Sequence, residues 1–118
     1  MVDTSTLLFL ATVAWVVVHE LDAIRQREWR FFAAPFPVRD ETAYRVFTAI
    51  HAPALVGVLW LLESPSFQVA FDAFAVAHGG VHVALRNHPL VEFDSWFSRF
   101  WIYGASLLGA LHLALVLS

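Results

Sequence analysis

The sequence predicts an all-α membrane protein, a four-transmembrane-helix up-down bundle in which residues 1–118 form one domain. Three observations predict it. First, 59% of the 118 residues are hydrophobic, where a soluble domain of this size carries about 45–50%. Second, the apolar residues fall into four stretches, each near the ~20 residues that a spanning helix needs. Third, the connections between them are short, which makes consecutive helices antiparallel neighbours. A soluble bundle would show polar stripes at helical spacing, and residues 13–18 and 107–117 show almost none.

The first span is expected over residues 6–24, with Asp3 to Thr6 offering oxygens to cap its free amides. The residues before it are acidic and polar. A secretory signal carries positive charge there, so the span is expected to be retained. Residues 25–32 are expected to extend it as an amphipathic interfacial turn that Pro35 and Pro37 stop. The second span is expected over residues 44–62, opened by Asp40 and closed by Glu63-Ser64-Pro65. The third covers residues 67–85 and ends at Asn87-His88-Pro89; the fourth covers 97–117 behind Asp94 or Ser95.

Orientation follows from charge. All seven basic residues are arginine. Arg25, Arg27, Arg30, Arg39 and Arg45 surround the first connection, and Arg86 and Arg99 flank the third. The positive-inside rule puts both connections in the cytoplasm of a prokaryotic cell and both termini outside, N-out/C-out. Trp29, Phe31, Phe32, Trp96, Phe97 and Trp101 gather on the arginine side, as an interfacial aromatic belt does. The net charge of −3 offers no basic surface for nucleic acid. The absence of cysteine excludes disulfides, thiolate metal sites and cysteine nucleophiles.

The organising stretch is the end of the first span, Val16-Val17-Val18-His19-Glu20-Leu21-Asp22-Ala23-Ile24-Arg25. It sets a histidine and two carboxylates in membrane-grade hydrocarbon, which is costly unless they find partners. Depth can be reckoned from the nearest arginine at about 1.5 Å per helical residue. His19 and His51 each lie roughly 9 Å in, His82 roughly 6 Å and His78 roughly 12 Å. Three helices thus deliver four histidines to one layer of the cytoplasmic leaflet. His78 and His82 share a helix face at i,i+4, and His19 and Asp22 share one at i,i+3. Gly79-Gly80 lets another backbone approach, and Pro53 frees a carbonyl near His51.

Imidazoles and carboxylates without thiols suit zinc or non-haem iron. The expected metal ligands are His19, Asp22, His51, His78 and His82, with Asp22 as ligand or water orienter and Glu20 as proton shuttle in catalysis. Taken singly, each histidine could simply bond a neighbouring helix; the shared depth favours a metal or cofactor site. His88 reads as a surface residue. His112 lies in the other leaflet, where a structural hydrogen bond to Asp72 is expected, and Ala105, Gly109 and His112 share a packing face.

The string His19-Glu20-Leu21-Asp22-Ala23-Ile24-Arg25, followed by Glu28-Trp29-Arg30, resembles the signature of small prokaryotic four-helix membrane proteins of unknown function. A looser similarity links the HxxxH pair, a distant histidine and an aspartate to seven-helix membrane zinc hydrolases of the progestin-receptor and alkaline-ceramidase type.

Four functions compete. The leading expectation is a membrane metalloenzyme, hydrolase-like, acting on a lipid or other apolar small molecule, with membrane lipids as its surroundings. A haem protein would use His51 and His82 as axial ligands. A small proton-coupled transporter would use Glu20. An isomerase would set carboxylates against a carbocation in an aromatic pocket.

Overall fold

The computed structural model describes residues 3–118; of the polar N-terminal stretch, Met1 and Val2 lie outside them. Five helices and no strands are present among the described residues: α1 (Thr4–Arg25), α2 (Trp29–Ala33), α3 (Asp40–Trp60), α4 (Pro65–Ala84) and α5 (Trp96–Leu117). Four long helices are where the apolar periodicity predicts them, within a few residues.

Each start has a chemical cause. The Asp3 carboxylate accepts the Thr6 amide at 2.7 Å, and Ser64 and Ser95 cap α4 and α5 through Phe67 and Ser98. Pro65 fills the first turn of α4, where no amide is needed. α3 begins at Asp40, four residues earlier than expected. Asp40 and Glu41 sit at the positive end of its dipole, and Asp40 also accepts Trp29 Nε1 at 2.9 Å and Arg30 Nε at 3.3 Å. That pair of bonds fastens α2 to the start of α3.

The expected continuation of α1 through Phe32 is broken. α1 stops at Arg25, and Arg27 takes the left-handed conformation with φ 58°. The Glu28 amide then bonds the Ala23 carbonyl at 3.0 Å and the Arg27 amide bonds that of Ile24 at 3.2 Å. These two reversed bonds close the helix as a Schellman motif and turn Glu28 back over the last turns of α1.

α1, α4 and α5 form the packed body. Val16, Ala75 and Ala105 meet at its middle, with Trp15 and Phe71 against them; Ala23, Phe93 and Ile102 meet nearer the arginine end. Gly79 faces Ser106, where a Cβ would collide with the hydroxyl, so α4 and α5 approach at a distance that only glycine allows there. Gly80 faces open space. α3 buries none of its residues; it lies beside this body rather than completing a tight four-helix bundle.

The pattern of burial is inverted relative to a water-soluble protein. Thr12, His19, Asp22, Asp72, Ser98 and His112 are buried, while Leu21, Val46, Val56, Leu59 and Leu107 stand well exposed. Three helices, α1, α3 and α5, are long and apolar enough to cross a membrane. α4 has the length, at 20 residues, but its Gln68, Asp72, His78 and His82 lower its apolarity.

Candidate metal centre

His19 is the centre of the site. It projects from α1 and is 1% exposed, yet neither ring nitrogen has a hydrogen-bond partner among the described residues. An unpaired buried polar atom costs about 1–3 kcal/mol, so this imidazole is held in place at an expense that packing alone does not explain. Around it stand His78 and His82 of α4, with ring centroids 4.7 and 5.2 Å from that of His19 and 4.6 Å from each other. The i,i+4 spacing sets both on the inner face of α4, and the glycine between them brings α4 close to α5.

The fourth member is Glu28. One donor atom from each of His19, Glu28, His78 and His82 lies within 4.8 Å of all the others. Glu28 Oε2 stands 3.8 Å from His19 Nε2 and has no hydrogen-bond partner of its own. Burial pushes its carboxyl up to about 7; the negative charge of Glu20 acts in the same direction, and His51 opposes it. Phe93, from the α4–α5 connection, lies over the rings of His19 and His82 at 5.3 and 4.9 Å. Phe74 stacks on His78 at 5.4 Å. The site is a largely buried group of three imidazoles and one carboxylate, flanked by aromatic rings.

His51 and Asp22 do not join this group. His51 Nδ1 donates to the Phe47 carbonyl at 2.7 Å, and Nε2 meets Glu20 Oε2 at 2.7 Å. Both ring nitrogens therefore face acceptors, so His51 and Glu20 hold one proton between them beyond that on Nδ1. The other Glu20 oxygen lies 3.8 Å from His19 Nε2, as near as Glu28 does, but Glu20 is not among the four residues whose donor atoms all lie within 4.8 Å of one another. Asp22 is buried on the neighbouring face of α1, against α5: its Oδ2 accepts the Ser98 hydroxyl at 2.6 Å and its Oδ1 accepts Gln26 Nε2 at 3.3 Å. The i,i+3 relation to His19 is real, but a 60° offset at that spacing suffices to aim Asp22 at α5 instead.

Sequence reasoning missed Glu28 as a site residue. It follows a helix end at which no glycine advertises a reversal. Its only signal is its place in the string that carried the family resemblance. His88 sits in the α4–α5 connection, its Nδ1 accepting the Leu90 amide at 3.1 Å. His112 donates from Nδ1 to Asp72 at 2.6 Å, as expected.

An apolar groove of about 390 Å³ runs between α1, α3 and α4. Val17, Leu21, Leu55 and Phe74 line it, and Glu20 and His51 supply its polar wall. Comparison with known proteins adds the family and little else. No curated protein and no solved structure matches the chain. The model of a family of unknown function, DUF6713, matches residues 5–118, and the chain belongs to that family.

Proposed function

We propose that this is an integral membrane protein of four spans that binds one divalent transition-metal ion through His19, His78, His82 and Glu28, and that it acts as a hydrolase-like metalloenzyme on a lipid or other apolar small molecule. The observation that carries the metal is His19. A fully buried imidazole with two nitrogens unpartnered among the described residues faces three other ligand atoms, and an ion would give His19 and Glu28 the partner they lack. The four donor atoms, all within 4.8 Å of one another, would need only side-chain adjustment to hold an ion. Donors without thiolate favour zinc, then ferrous iron. With three histidines bound, Glu28 is the displaceable ligand. Glu28 would be the residue placed to take a proton from water there, and a bound divalent ion would supply Lewis acidity.

Two features support the rest. The Glu20–His51 hydrogen bond lies next to His19, a placement that suits a proton relay. The groove beside it is apolar on most of its walls, which suits a hydrocarbon-bearing substrate arriving from the bilayer. The inverted burial and the one-sided arginines support four spans with the site near the cytoplasmic face.

The test is elemental analysis of tag-free protein. About one equivalent of zinc or iron is expected, lost at least tenfold in His19→Ala and His78→Ala. Asp22→Asn and His88→Ala should keep it, because neither side chain reaches the cluster. Metal-free wild-type protein that does not take up zinc on titration would sink the reading.

A further inference from the structure

We propose that Ser5, His112 and Asp72 form a second, metal-independent centre at the far end of the bundle, an acyl-transfer triad whose nucleophile is the Ser5 hydroxyl and whose substrate is a carboxylic ester. Ser5 Oγ lies 3.1 Å from His112 Nε2, and His112 Nδ1 lies 2.6 Å from Asp72 Oδ2. The order of atoms matters more than the distances. A carboxylate on Nδ1 holds the proton on that nitrogen, which leaves Nε2 as an acceptor. The Ser5 hydroxyl must then donate to it. This is the arrangement in which a histidine serves as general base to a serine and an aspartate fixes the tautomer.

Packing alone accounts poorly for the set. Asp72 and His112 are both 0% exposed, and Asp72 Oδ1 has no hydrogen-bond partner among the described residues. A buried carboxylate costs desolvation that one hydrogen bond to a neutral imidazole does not obviously repay, where apolar residues of the same volume would carry no such cost. A site that only needed filling has no reason to keep one with an oxygen unpaired. Three helices contribute one residue each: α1, α4 and α5. Gly109 lets α5 close on the α4 backbone at Asp72 itself, where a Cβ would stand 3.2 Å from the Asp72 carbonyl oxygen. Phe9 lies against the His112 ring at 5.4 Å and shields it from the interior side. The base and its orienter are thus sealed, while Ser5, in the first turn of α1, is half-buried and reachable.

The reaction balances with an ester and water alone. Ser5 Oγ attacks the acyl carbonyl while its proton passes to His112 Nε2. The tetrahedral adduct collapses, the C–O bond to the alcohol breaks, and the alcohol leaves with that proton. Water then attacks the acyl-Ser5 ester, giving its proton to His112, and the carboxylic acid departs as Ser5 recovers the proton. The amides opening α1 carry the positive end of its dipole beside the nucleophile. Asp3, which is exposed, accepts the Thr6 amide there, so a substrate oxyanion would have to take that donor from it.

The choice of an ester-bearing lipid as the natural substrate rests on the membrane reading above; the triad does not. His112 is five residues from the end of α5 and Ser5 one from the start of α1, so the site lies within about 8 Å of the helix ends. At that depth a bilayer presents its acyl ester linkages. Leu7, Leu111 and Leu115 stand exposed nearby in sequence, an apolar surface for the chains.

The probe is a long-chain alkyl fluorophosphonate, applied to the folded full-length protein in detergent and read by intact mass and peptide mapping. Wild type should gain one phosphonyl group on Ser5, with fluoride released. Ser5→Ala should abolish labelling, and His112→Gln and Asp72→Asn should slow it at least a hundredfold. His88→Ala should label like wild type. Hydrolysis of p-nitrophenyl butyrate should follow the same order and survive removal of metal by a chelator. Failure of folded wild type to label on Ser5 overturns the triad outright, without a variant having to fold. Labelling that persists in His112→Gln reduces Ser5 to an ordinary exposed hydroxyl and overturns it equally. A labelled Ser5 with no ester hydrolysis in detergent or in phospholipid vesicles overturns the substrate.

Discussion

Glu28 carries the sharpest consequence at the scale of single residues. Its carboxyl is held near 7 instead of the ordinary 4.5, first by burial. A carboxyl whose pKa rises on folding lends stability that is fully present below about 4.5 and lost as pH climbs through about 7. In metal-free protein, thermal denaturation of wild type minus that of Glu28→Gln isolates this contribution. Wild type should lose up to about 3 kcal/mol relative to the variant between pH 5 and pH 8. Zinc affinity should move the opposite way, rising over the same range as the carboxylate becomes free to ligate. A pH-independent difference would remove Glu28 from the buried cluster. The contrast with Asp22 shows what a sequence can say about a residue. His78 and His82 were legible because i,i+4 spacing commits both to one face. Asp22 was equally legible as a neighbour of His19 in the chain, but spacing alone did not say that Ser98 would claim it.

At the scale of elements, the turn after α1 decides whether the site exists. Arg27 is left-handed, a conformation that costs an L residue about 1–2 kcal/mol, and the reversal it makes delivers Glu28. Arg27→Gly should keep the turn, staying within about 1 kcal/mol of wild type, since it relieves that strain while giving up the half-exposed ion pair to Glu92 at 3.5 Å. Arg27→Val also removes the ion pair but resists the left-handed region. It should unfold at lower temperature and bind zinc at least tenfold more weakly, read by calorimetric titration. Equal zinc affinity in the two variants would show that the turn does not position Glu28. This element was hidden in the sequence because helix ends of this kind are usually marked by glycine, and here an arginine stands in its place. The positions of the four long helices were legible from their apolar runs and capping residues. The detachment of α3 was not, because its outward residues are as apolar as those of a helix packed on all sides.

At the scale of the whole molecule, polar side chains are buried among the apolar core while many large apolar side chains stand exposed, a distribution that suits hydrocarbon as the surrounding solvent. α4 is the helix on which that reading turns. Its hydropathy is lowered by Asp72, His78 and His82, and those are the side chains that the other helices enclose or face. A span whose polar residues are all consumed internally can cross a bilayer at less apolarity than its composition suggests. The chain has no native cysteine, so single introduced thiols report without background. Glu63 precedes α4 and Asn87 follows it, and both are exposed. In intact cells, a thiol at Glu63→Cys should react with an impermeant maleimide and one at Asn87→Cys should not until the membrane is opened. Reaction of both from outside, or of neither, would mean that α4 does not cross. Reaction of Asn87→Cys alone would keep the four spans but invert them, placing the His19 cluster at the outer face and the Ser5 end within.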